Sequence, residues 1–286
     1  MVDPAIQVPS DHRKVPSHVA KVSRAKTNLE CLKTAIETYS GTDLRSYPYA
    51  GRRSIEGKPK RDVFRVHFFR AVSNTDIPLI AADAIYNLRS SLEHLMAAMV
   101  PAKNRDSVTF PVFWRGVWDP CVTGESEQRR RDRQRWLTIA RALPTEATAY
   151  LKKLQPPDEP VDAQTCHQLR ILNQLSNTDR HTRLPVFAEG LGAMMVRNYM
   201  KDGSFRDGIG RVHPGSFIAD NAEIDVPAGT VRVEIAGIPQ IVIRTQMKYP
   251  DGRPQNLPIV DFISDSIKFF EDEVFPSLAR FVRPRQ

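Results

Sequence analysis

Ile77–Val100 reads IPLIAADAIYNLRSSLEHLMAAMV, and its interpretation decides the fold. Laid on a helix at about 100° per residue, it places Ala81, Ala84, Ile85, Leu88, Leu92, Leu95, Met96 and Met99 on one wide arc. Asp83, Asn87, Ser90 and His94 fall on a narrow stripe opposite, at spacings of four, three and four. An arc this wide exceeds the apolar face of an ordinary surface helix, so the segment is expected at the centre of a bundle, packed on several sides. The polar stripe is then its one wet or internally bonded line. Arg89 lies off the stripe at the margin of the apolar arc, with Glu93 one turn further on. Pro101 stops the helix.

Outward from this helix, Val19, Val22, Ala25, Leu29, Leu32 and Ile36 recur at gaps of three and four. They predict an amphipathic helix from Ser17, the expected N-cap, to about Tyr39. Gly41–Lys60 reads as a polar, basic connection, and RDVFRVHFFRAV near 61–72 as a strand. An irregular aromatic stretch (104–124) precedes a basic helix at about 126–143, a short helix opened by Pro144, and another at about 161–177. Between 184 and 250 the sequence alternates β-branched residues with turn signals, as an antiparallel meander does. Helical spacing returns near 256–280, at Ile259, Ile263, Ile267, Phe270 and Val274. The expected fold is mainly α (α+β): one compact unit over 1–286, with a helical core (10–183), a β-meander insertion (184–250) and a C-terminal helix that rejoins the bundle.

The chain has 286 residues, 41 % of them apolar and 8 % aromatic, the composition of an ordinary folded protein. No run of about 18 apolar residues could cross a membrane, and the polar N-terminus MVDPAIQVPSDHRKV has no secretory signal pattern. Cys31, Cys121 and Cys166 are scattered and lack metal-ligand spacing, so reduced thiols in a cytoplasmic protein are expected. A net charge of +8 suits a polyanion partner. Part of it is concentrated in RRRDRQR, where Arg129, Arg130, Arg131, Arg133 and Arg135 could follow a polynucleotide backbone or simply form a solvated helix face.

Arg89 and His94 are the candidate catalytic residues. Metal-free RNA cleavage needs a base for the 2′-hydroxyl proton, a cation for the phosphorane charge and an acid for the leaving oxygen. Imidazole can serve either proton role, and a guanidinium matches two phosphate oxygens. In the plainer alternative, Arg89 and Glu93 form a helix-surface pair and the stripe bonds to a neighbouring helix. A second polar cluster, Asn177, Asp179 and His181, closes the helix near 177. Asp179 could orient Arg89 or His94 and His181 could be a second proton carrier, or the group simply terminates the helix.

Arg89-x4-His94 in a helical bundle resembles the signature of the HEPN superfamily, many of whose members are metal-independent endoribonucleases of toxin–antitoxin and phage-defence systems. The resemblance implies that Arg89 binds the scissile phosphate, that His94 moves protons, and that two copies pair with their motifs at the interface. Asp83, Asn87, Ser90, Glu93, Asn177, Asp179 and His181 would support them. Ser90 stands where active members often carry Asn, Asp or His. NLRxxxEH (87–94) with NxDRH (177–181) is also similar to uncharacterised bacterial and phage proteins.

The expected partners are therefore RNA, a second copy and a protein antitoxin or other partner, with no membrane, cofactor or metal. No GxGxxG or GxxxxGK[ST] loop, HExxH, CxxC or G-x-S-x-G occurs. Adjacent Cys166 and His167 would diverge on a helix. The competing function is a catalytically inactive binding or assembly protein whose central-helix polar residues form a structural network.

Overall fold

The computed structural model describes residues 15–41, 48–56, 61–69, 72, 75–113, 117–118, 126–155, 168–181, 187–211, 222–248 and 254–283. The elements are α1 (Ser17–Ser40), β1 (Tyr49–Glu56), β2 (Arg61–Phe68), α2 (Ile77–Met99), α3 (Glu127–Ala142), α4 (Thr145–Lys153) and α5 (Gln168–His181). Then come β3 (Phe187–Met200), β4 (Phe205–Arg211), β5 (Glu223–Ile224), β6 (Thr230–Lys248), β7 (Pro254–Pro258), α6 (Ile259–Phe269) and α7 (Phe275–Ala279). The fold is mixed α+β and mainly helical.

α2 is the axis of the bundle and packs against α1, α5 and α6. All eight residues of its wide apolar arc are buried, none more than 1 % exposed. Each large side chain sealed in this way contributes about 1.5–3 kcal/mol. Asp83 is exposed, while Asn87, Ser90 and His94 are half-buried, so the stripe is the helix's wet line. On α1 the buried face runs His18, Val22, Ala25, Leu29 and Leu32. Val19 is 38 % exposed, which sets the inward register one residue earlier than apolar spacing alone suggests. Pro16, not Ser17, occupies the N-cap and makes no side-chain cap bond.

The segment expected as a connection holds β1, which pairs antiparallel with β2 from Tyr49↔Phe68 to Glu56↔Arg61. Gly, two Arg and Ser weaken its strand signal, because tertiary packing forms it rather than local propensity. β5 joins the other edge of β2. The second sheet has the order β4-β3-β6-β7, antiparallel throughout.

The two sheets enclose a second core of Tyr49, Phe64, Val66, Phe68, Leu191, Val196, Ile224, Val233 and Ile235. The meander is thus completed by a hairpin from more than a hundred residues upstream. At Gly51 the sheets come so close that a Cβ would lie 3.1 Å from the Val233 carbonyl oxygen and 3.3 Å from the Val233 Cβ. The Tyr49 hydroxyl donates to the Gly237 carbonyl at 2.5 Å and accepts from the Gly237 N–H at 2.8 Å. β6 joins the two cores, with Val233 and Ile235 in one, and Ile241 and Ile243 in the helical one.

The C-terminal helix begins at Ile259 and packs against α1 and α2, with a π turn over Phe270–Val274 before α7. The turn precedes Pro276, whose ring removes a helix N–H. Among the described residues, no helix is long and apolar enough to cross a membrane.

Candidate functional site

Residues 108–113 run through the interior without regular structure, and Phe110 and Phe113 are buried. An extended segment there needs partners for its backbone groups. α2 supplies one set: Arg89 Nη2 donates to the Phe110 carbonyl at 3.1 Å, while Glu93 Oε2 accepts from the Phe110 N–H at 2.8 Å. The same Nη2 pairs with Glu93 Oε1 at 2.6 Å. The second set is the buried Gln155, which accepts from Phe113 N–H at 2.9 Å and donates to Pro111 and Leu151.

Arg89 is only 8 % exposed, so the pair with Glu93 is no surface pair but part of a polar clamp on the 108–113 segment. His94, five positions on, sits about 140° further round the helix. Arg89 therefore enters the bundle and His94 faces elsewhere.

His94 lines a cavity of about 520 Å³ between the start of α1 and the end of α2. His18 and Ser17 reach it from α1, Arg105 from the turn after α2, and Arg283 from the C-terminus. Ala97, Ala98 and Val282 form an apolar floor. His94 Nδ1 lies 3.2 Å from Ser17 Oγ, a hydrogen bond whose direction follows the imidazole tautomer. Burial holds the His18 pKa below the usual imidazole value, and electrostatic repulsion from His94 lowers it further. Both imidazoles thus line the same cavity. Arg89 does not line it.

Asn87 Nδ2 donates to the Asp83 carbonyl at 2.8 Å, an exposed bond within the helix. Ser90 is half-buried on the same face. On α5, Asn177 is exposed, and the helix backbone continues through Asp179 to His181. The side chains of Asp179 and His181 lie outside the described residues, as do Cys121, Cys166 and His167.

α3 forms as expected, with Ser126 as N-cap accepting from Arg129 N–H at 3.3 Å. Arg130, Arg131 and Arg135 are exposed; Arg129 and Arg133 are half-buried. Arg131 pairs with Glu127, and Arg135 donates to Thr109 Oγ1 at 3.1 Å. Trp136 is 4 % exposed and packs edge-on against Phe113 and Trp118, so it belongs to the core rather than to a basic surface.

Sequence reasoning singled out His94 and passed over His18, Arg105 and Arg283. One signal was available: His18 falls four residues before Val22, on the buried face of α1. Comparison with protein families, with curated proteins and with solved structures finds no match to this chain.

Proposed function

We propose that this protein is RNA-directed and acts as a metal-independent endoribonuclease of the toxin–antitoxin or phage-defence type, with His94 as its proton-transfer residue. The observation that carries this reading is a pair of imidazoles, His94 and His18, lining one cavity together with two arginines. Histidine side chains can exchange protons near neutral pH without a metal. In the reaction, one imidazole takes the 2′-hydroxyl proton and the 2′-oxygen forms a bond to phosphorus. The P–O5′ bond breaks, and the other imidazole protonates the departing oxygen. The products are a 2′,3′-cyclic phosphate and a 5′-hydroxyl. The R-x4-H resemblance supports the same chemistry class and a homodimer with one cavity per copy. Arg89, bound to Glu93 and Phe110, then acts as a positioning residue, and the exposed arginines of α3 supply salt-dependent contact with the backbone.

The test is incubation of RNA with wild type and His94→Ala in excess chelator. The expected outcome is cleavage by the wild type to cyclic-phosphate ends, and none by a folded His94→Ala. RNA left intact by the wild type overturns the proposal. The Arg89–Glu93–Phe110 clamp favours a second reading, a catalytically inactive binding or assembly protein, and intact RNA would select it.

A further inference from the structure

We propose that the N-terminus of α1, Arg105 and Arg283 form a phosphate cradle at the His94 cavity, complete within one protomer, with His18 as its buried wall. The proposal rests on the reading above only in placing a phosphate at this cavity. It assigns the cation's role to residues other than Arg89.

Four observations converge. α1 is 24 residues long, and its first turn, Pro16 to His18, lines the cavity. Its first i→i−4 bond runs from Ala20 N–H to the Pro16 carbonyl, and no side chain caps the turn. The N–H groups of Ser17, His18 and Val19 thus have no acceptor among the described residues. A helix end in this state carries roughly half a positive charge and suits an anion.

His18 is the second observation. It is 7 % exposed and packs edge-on against Phe275 at 5.1 Å between centroids, yet its ring makes no hydrogen bond among the described residues. Neither ring nitrogen is among the buried polar atoms left without a partner, so the buried ring keeps its polar edge open to the cavity, where water or a ligand can bond it.

Third, Arg105 is exposed at the cavity mouth and has no ion-pair partner among the described residues. Fourth, Arg283 is tethered in place: its backbone N–H donates to the Ala98 carbonyl at 3.0 Å and its Nε to the Met99 carbonyl at 3.2 Å. Those bonds also cover two carbonyls at the negative end of α2 that would otherwise repel an anion. Among the described residues, none lining the cavity carries a carboxylate. On α2, the Glu93 carboxylate one residue before His94 is committed to Arg89 and Phe110.

Donors thus approach from three separate chain segments, which suits a tetrahedral oxyanion better than a planar carboxylate. The volume of about 520 Å³ exceeds a phosphate alone and leaves room for groups attached to it.

The full-length protein is titrated with inorganic phosphate at constant pH and ionic strength, followed by calorimetry and by the histidine Cε1–H resonances. Wild type is expected to bind saturably and to shift the His18 and His94 resonances together. Arg105→Ala should weaken binding by roughly tenfold or more, the loss of a charge-assisted hydrogen bond. Arg105→Glu should abolish it, and Lys201→Ala, in the β3–β4 turn, should match wild type. Because Arg283 also tethers α2, Arg283→Lys is paired with a melting curve, and weaker binding by a folded variant supports the cradle. A folded wild type without saturable phosphate binding overturns the proposal, and so does wild-type affinity in Arg105→Glu. Phosphate binding beside intact RNA keeps the cradle and removes the nuclease. Cleavage unaffected by Arg105→Glu does the reverse.

Discussion

Replacing Arg89 by alanine separates a guanidinium that holds the fold from one that waits for substrate. The side chain of Arg89 is 10 % exposed and that of Glu93 27 %, with the two in contact at 2.6 Å. Breaking a fully buried pair from one side costs about 3–5 kcal/mol. Here Glu93 keeps some water and its bond from Phe110 N–H, which lowers the expectation to about 2–4 kcal/mol. Part of that is the Phe110 carbonyl, which loses the Nη2 donor. For a chain of this size, a loss of that magnitude lowers Tm by roughly 5–10 °C. Thermal melts and urea titration of wild type, Arg89→Ala, Glu93→Gln and the double variant provide the assay. The double variant should cost less than the two single losses together, because each single change strands the other group. If Arg89→Ala melts within about 2 °C of wild type while RNA cleavage disappears, the clamp is refuted and the guanidinium belongs to the substrate.

Two further outcomes are expected. The His18 pKa is held down chiefly by burial and secondarily by His94, so the unfolded chain takes up a proton that the folded chain resists. Stability should therefore fall as pH drops below the unfolded imidazole value of about 6.5 and level off once folded His18 protonates; urea unfolding of wild type against His18→Phe checks this, and a slope that survives the substitution contradicts it. Gly51→Val would push a side chain into the Val233 backbone and cost about 1–3 kcal/mol, read by urea unfolding, despite valine's better strand propensity.

Much of the helical architecture was legible because one period governs it. The α2 arc, the buried face of α1 from Val22 on and the helical spacing of α6 all follow from spacing within a single segment. β1 was not, since its stability comes from a partner strand and from the close approach at Gly51 rather than from its own residues. The second core was hidden for the same reason. It joins Tyr49 to Gly237 and Phe64 to Ile224, pairings that no local pattern records.

The candidate site divides along the same line. R-x4-H is visible in sequence, but five helical positions are about 140° of rotation, so a single straight helix points its two functional groups at different environments. One enters the bundle, where an irregular segment needs backbone partners, and a guanidinium–carboxylate pair provides both a donor and an acceptor. The other meets whatever the neighbouring chain ends bring, here the first turn of α1 and Arg283. The charge that could receive an anion beside His94 is therefore assembled from residues 17–18, 105 and 283, at distances along the chain that no motif spans. A cavity with two imidazoles, two guanidiniums and a helix N-terminus has its anion preference set by the tertiary fold, whatever the helix motif contributes.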